Sequence, residues 1–233
     1  MITATDLCLA LDGRAILDHV SFSVSRGESV ALVGPNGSGK TSILRCLLGL
    51  VPFDGRVMID GNDVMREPIA ARSLLSYVPQ KAAFGDAPAR EVLAFVAKLR
   101  RIDRSRIPLT LREVGLEEHA DERVRTFSGG MQQRLSLALA LLADTPALLL
   151  DEPSASLDCE GQDHFFEIVA RLRKRGHTLL LASHRPEEVE ALTDRVLHID
   201  RGRLEVATAP MVRTARLIPL RNHTSRQAGQ VSR

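Results

Sequence analysis

Four short apolar runs punctuate this chain: Ser29-Val30-Ala31-Leu32-Val33, Ala147-Leu148-Leu149-Leu150, Thr178-Leu179-Leu180-Leu181-Ala182, and Arg195 to Ile199. The first three do not alternate between polar and apolar residues, which predicts strands covered on both faces, as inside a parallel sheet flanked by helices. Elsewhere the period lengthens. From Arg90 to Arg101, Val92, Leu93, Phe95, Val96 and Leu99 fall largely on one stripe with charges opposite, predicting an amphipathic helix with Phe95 packed in the core. Ile43 to Leu48, Met131 to Ala143 and Glu187 to Ala191 predict further helices. Asp12-Gly13, Arg26-Gly27 and Arg201-Gly202-Arg203 read as turns, so the stretch from Thr3 to Val33 becomes a set of short strands. Phe53 to Gly61 reads as two strand fragments joined by turn residues.

Chemistry enters where the first apolar run ends. Gly34-Pro35-Asn36-Gly37-Ser38-Gly39-Lys40-Thr41-Ser42 fits G-x-x-x-x-G-K-[ST] between a predicted strand and a predicted helix. In that setting glycines let consecutive backbone N–H groups and the positive end of a helix close around a phosphate. Lys40 would reach the β- and γ-phosphates, and the Thr41 hydroxyl would bind Mg²⁺. The second run ends in Asp151-Glu152-Pro153, which delivers two carboxylates to the crevice where open α/β sheets bind ligands. Asp151 is the candidate for holding Mg²⁺ through its water shell. Glu152 is the candidate general base for the attacking water.

Between these two elements lies Phe127-Ser128-Gly129-Gly130-Met131-Gln132-Gln133-Arg134. With it the chain resembles the ATP-binding cassette (ABC) family over roughly Thr3 to Val206. The resemblance implies an α/β P-loop NTPase fold with a RecA-like, mostly parallel sheet core, an antiparallel β subdomain and an inserted α-helical subdomain at about residues 82–143. It implies that Ser128, Gly129, Gly130 and Met131 form the signature, offered by one subunit to the γ-phosphate bound on another. Chemically this is a helix N-terminus capped by Ser128. Gln80 corresponds to a glutamine that touches Mg²⁺ and water, Asp158 to the acid of a loop crossing to the opposite subunit, and His184 to a histidine that holds Glu152 and water in line. Of seven histidines, His184 alone follows a predicted strand in this way.

The sequence also departs from the family's pattern. Leu11 stands where an aromatic usually stacks on adenine, so aliphatic base packing and weak selectivity for ATP over GTP are expected. Ala155-Ser156 and Thr41-Ser42 are each inverted relative to the usual order, and each swap keeps a hydroxyl nearby.

Composition narrows the class. With 44% apolar residues and only 3% aromatics, the chain can build an aliphatic core in one domain, placed at residues 1–207. No apolar stretch reaches the roughly 18 residues of a membrane span, and no signal peptide is expected at Met1 to Asp6. Cys8, Cys46 and Cys159 are odd in number and lack paired metal-ligand spacing, which predicts reduced cytosolic thiols. Net charge is +2, yet the segment from Val206 holds five arginines and no acids, leaving about −3 elsewhere. Residues 208–233 are therefore expected to form a solvated, poorly ordered basic tail, with no nucleic-acid partner.

The resemblance implies an ATP-hydrolysing subunit, a second copy forming a homodimer around ATP and Mg²⁺, and integral membrane permease subunits. It places the chain in the cytoplasm, peripheral on the cytoplasmic face of the cell membrane. Met131, the segment Phe95 to Arg100 and Val114-Gly115-Leu116 resemble ATPases of export-type systems. The alternative class is a soluble ABC ATPase that moves no solute, such as one for iron–sulfur assembly.

Overall fold

A computed structural model describes residues 1–82 and 84–205. The expected tail at 208–233, and the last residues of the expected 1–207 domain, lie outside the described residues.

Two sheets carry the architecture. The first is antiparallel, in the order β2-β1-β4-β5, from β1 (Ile2–Leu11), β2 (Arg14–Val24), β4 (Asp54–Ile59) and β5 (Asn62–Asp63). The second has the order β10-β9-β3-β8-β7-β6, from β3 (Ser29–Val33), β6 (Leu75–Val78), β7 (Ala147–Asp151), β8 (Thr178–Ala182), β9 (Arg195–Asp200) and β10 (Arg203–Leu204). Its strands pair in parallel except β10, which turns back on β9 through Arg201 and Gly202. This is the P-loop NTPase arrangement, a parallel core beside an antiparallel sheet.

The continuous apolar runs have a direct explanation in packing. Leu148, Leu150, Leu179 and Leu181 face one core, shared with helices α5 (Gly129–Ala143) and α6 (Cys159–Lys174). Ala147, Leu149, Leu180 and Ala182 face the other, shared with α1 (Lys40–Leu47) and the antiparallel sheet. Because successive strand residues point to opposite faces, burial on both sides demands an apolar residue at every position.

Two expectations need correction. Phe53 to Gly61 is one strand, β4, followed by the turn Asp60-Gly61 into β5. Gly55 lies inside this strand, where β1 shifts register between Thr5 and Cys8. At φ 95° and with an added Cβ only 2.2 Å from the Asp6 carbonyl, that position requires glycine, so the Asp-Gly pair marks a bulge and not a chain reversal. Phe95 is the second correction. Helix α3 (Ala89–Arg100) buries Ala89, Leu93 and Ala97 instead, and Phe95 is 62% exposed. Ala89, Leu93 and Ala97 recur every four residues and form one stripe in the core shared with α5, and Phe95, two residues from Leu93, lies off that stripe. Between α3 and α5 lies α4 (Arg106–Glu113); α2 (Pro68–Ser73) precedes β6, and α7 (Pro186–Leu192) precedes β9.

Candidate functional site

The phosphate-loop segment joins β3 to α1. A Cβ at Gly34 would lie 2.0 Å from the Ile199 carbonyl and 2.8 Å from Ser38 Oγ, so the loop closes on itself only with glycine there. Gly39 occupies φ 111° directly before the first helical residue, Lys40. The Lys40 ammonium donates to the carbonyls of Gly34 at 2.7 Å and Pro35 at 3.0 Å, so it spans the loop's own rim. An ammonium has three donors, and a phosphate oxygen is a natural acceptor for the third. Ser38 Oγ is buried without a hydrogen-bond partner, while its carbonyl accepts from Gly202 N–H at 3.0 Å and ties the loop to the β9–β10 turn.

Asp151 ends β7, with 3% of its surface exposed. Its Oδ1 accepts from Thr41 Oγ1 at 3.0 Å and its Oδ2 from Tyr77 OH at 3.1 Å. Burial raises its carboxyl pKa above the ordinary value, and the Thr41 and Tyr77 hydrogen bonds pull it partly back. Hydroxyl and carboxylate oxygens side by side form a hard donor set that fits Mg²⁺.

One residue on, the backbone leaves the strand. Glu152 adopts φ 44°, while its N–H bonds to the Ala182 carbonyl at 2.8 Å. A left-handed conformation at a non-glycine residue is costly and persists only where its surroundings hold it. Here Gln80 Nε2 donates to Glu152 Oε2 at 2.7 Å, and His184 Nδ1 lies 3.0 Å from Oε1. Two residues far apart in sequence, Gln80 and His184, thus meet on the Glu152 carboxylate, next to Asp151 in the chain. The carboxylate is mostly covered whereas His184 is about half exposed, so the pair opens to solvent on the histidine side.

Ser128 Oγ accepts from Met131 N–H at 3.2 Å and caps α5, as the sequence implies. Gly129 and Gly130 stand against Ser156, whose Cβ and carbonyl oxygen would lie 3.5 Å and 3.4 Å from added Cβ atoms. The signature segment therefore adjoins the Ala155–Asp158 loop of its own chain. Asp158 caps α6 by accepting from Gly161 N–H at 2.9 Å. Among the described residues no hydrogen bond links this cluster to the phosphate loop. Leu11 lies at the end of β1 and is 39% exposed.

Several residues at the site were not legible as such. Tyr77 orients Asp151, and buried Gln133 donates to the Pro79 carbonyl at 3.1 Å, joining the segment before Gln80 to α5. Buried Glu188 binds the hydroxyls of Ser154 and Ser183, which flank the site on the chain. The one available signal is the Gln132-Gln133 pair at the start of a helix that turns apolar beyond Ser136; Glu188 among the acids of α7 carries none.

A phosphate loop, a strand-end acid pair and a capped Ser-Gly-Gly helix on this sheet define the class of ATP-hydrolysing cassette proteins. Residues 17–155, well over half of the chain, match the family model described as ABC transporter. The chain is 35% identical over 210 residues to the linearmycin resistance ATP-binding protein LnrL of Bacillus subtilis, covering 88% of this chain and 68% of that one. It is 36% identical over 203 residues to the zinc import ATP-binding protein ZnuC of Pseudomonas putida, covering 86% and 75%. A solved structure described as an ATP-binding subunit of an ABC transporter superposes with a TM-score of 0.83 at 27% identity, covering 89% of each chain. The chain belongs to the ABC transporter family and is one of its ATP-binding, ATP-hydrolysing subunits.

Proposed function

We propose that this subunit energises solute movement through separate membrane-spanning permease subunits, as part of an export-type transporter. The observation that carries the hydrolytic reading is the convergence of Gln80 and His184 on Glu152, one residue beyond Asp151. Residues 1–207 serve as the ATPase domain, with the helical insertion at about 82–143. The loop from Gly34 to Ser42 cradles the β-phosphate, Lys40 turns its remaining donor to the γ-phosphate, and Leu11 packs against the base. Thr41 and Asp151, with Gln80, hold Mg²⁺, which supplies positive charge to the phosphate oxygens. Glu152 accepts the proton of the attacking water, and His184 keeps that carboxylate and the γ-phosphate in line.

Each ATP is sandwiched between the phosphate loop of one copy and Ser128, Gly129, Gly130 and Met131 of a second, with Asp158 at the subunit boundary. ATP touches both halves and so favours the closed pair, and hydrolysis releases it. The exposed Phe95 and Leu99 of α3 offer the permease an apolar face, and among the described residues no helix is long and apolar enough to cross a membrane. Such a subunit works on the cytoplasmic face of the membrane. Met131 and the segments Phe95 to Arg100 and Val114 to Leu116 favour export; the zinc import relative is the opposing comparison.

One variant tests both halves of this reading. Glu152→Gln is expected to bind ATP and lose steady-state hydrolysis. Used as bait in detergent-solubilised membranes, it should retain a polytopic membrane protein at near-equal stoichiometry. Unchanged hydrolysis removes Glu152 from the mechanism, and recovery of soluble partners alone favours the non-transport ATPase.

A further inference from the structure

Glu188 is 0% exposed, as are Ser154 and Ser183, and together they form a carboxylate bridge behind the site. Ser154 follows Glu152 by two residues and immediately precedes the Ala155–Asp158 loop; Ser183 immediately precedes His184. One oxygen of Glu188 accepts from the Ser154 hydroxyl and the other from the Ser183 hydroxyl.

The directions of these bonds are determined by what else each hydroxyl does. Ser154 Oγ accepts from Arg185 Nη1 at 2.8 Å, and Ser183 Oγ accepts from Arg185 N–H at 3.0 Å. Each hydroxyl has one proton, which is therefore left for Glu188, an acceptor on both oxygens when ionised. Arg185 also donates to the Ser154 carbonyl at 3.3 Å and to Gln162 Oε1 on α6 at 3.2 Å, which supplies the compensating positive charge. A buried carboxylate with both oxygens engaged locks the end of one strand connection to the end of another.

We propose that Glu188 is a positioning residue that couples the loop Ala155–Asp158 to the Glu152–His184 pair, so that movement of this loop against a second subunit sets the alignment of the histidine with the carboxylate. The inference rests on the reading of Glu152 as the base and His184 as its aligning partner. The spacing supports it: Ser156 packs on Gly129 and Gly130, Ser154 is two residues earlier, and Glu188 is the link from there to Ser183 and His184. Glutamine cannot replace the bridge. Its amide has one acceptor oxygen, so one serine would face an NH₂ donor with its own proton unplaced.

The test compares the full-length Glu188→Gln, Ser183→Ala and Glu152→Gln variants by ATP affinity, kcat, thermal midpoint and ATP-driven dimerisation. Glu188→Gln is expected to lower kcat by about tenfold or more, the loss that follows from a broken hydrogen bond to a charge, while ATP affinity and ATP-driven dimerisation persist. Ser183→Ala should lower kcat in the same sense, and adding it to Glu188→Gln should cost less than the product of the two single effects. A kcat within about twofold of the parent in Glu188→Gln, beside an inactive Glu152→Gln, overturns this inference alone. A fall of ATP affinity, thermal midpoint and kcat together in both Glu188→Gln and the milder Ser183→Ala would reduce Glu188 to a scaffold residue and also overturn it. Full turnover in Glu152→Gln would remove the base reading and the proposal with it.

Discussion

Burial raises the pKa of Asp151 above its ordinary value of 3.8, and the adjacent Glu152 pushes in the same direction. A carboxyl whose folded pKa is raised contributes stability that is fully present below the unfolded value and is lost as pH rises from about 3.8 through the raised folded value. At neutral pH the ionised Asp151 therefore opposes folding, although Thr41 and Tyr77 relieve part of the cost. Asp151→Asn is expected to raise the thermal midpoint of the nucleotide-free protein at pH 7 and to weaken Mg²⁺-dependent ATP binding. A lower midpoint in that variant would show that the two hydroxyl hydrogen bonds outweigh the desolvation. Lys40, Thr41, Asp151 and Glu152 were legible because each stands at the end of an apolar strand or inside a glycine loop. Gln80 and His184 were legible only through the order of motifs. Tyr77, Gln133 and Glu188 were not legible, because their polar partners belong to other elements and side-chain type alone does not reveal a pairing across the fold.

At the scale of elements, the two-sided burial of β7 and β8 was readable from unbroken apolar runs, whereas the orientation of α3 was not. The apolar residues of α3 cover more than one stripe, and the stripe that is buried, Ala89, Leu93 and Ala97, is the one with the smaller side chains. Leu93, fully buried, and Phe95, 62% exposed, therefore make a discriminating pair. Leu93→Ala is expected to destabilise the protein by about 2–5 kcal/mol, as large-to-small core changes do. Phe95→Ser should stay within about 0.5 kcal/mol of the parent in the same denaturant unfolding experiment. If Phe95→Ser unfolds as readily as Leu93→Ala, the outward orientation of the ring is wrong. Strand β4 teaches a related lesson: Asp54-Gly55 has the chemistry of a turn, but the bulge in β1 opposite it makes the same glycine necessary inside a strand.

The whole molecule packs its parallel sheet between two separate cores, and that layering follows from the periodicity of its sequence. The strand order β10-β9-β3-β8-β7-β6 does not, since neighbours such as β3 and β8 are joined by the rest of the chain and only packing selects them. The same distribution of residues leaves the protein with no tryptophan and one tyrosine, Tyr77, whose hydroxyl donates to Asp151. With no indole and seven weakly emitting phenylalanines, the tyrosine-band emission of the chain thus originates from a single ring, hydrogen-bonded to the carboxylate proposed to face the metal. A carboxylate acceptor quenches phenol fluorescence, so any ligand that draws Asp151 away should brighten the protein without an attached dye. Titration with Mg²⁺ and a slowly hydrolysed ATP analogue, read at tyrosine emission, is expected to give a saturable increase that Asp151→Asn abolishes; an unchanged signal would mean that Tyr77 keeps its partner when nucleotide binds. Permease or other protein in a mixture would contribute light of its own, but the isolated subunit has no second tyrosine and no tryptophan to mask the change.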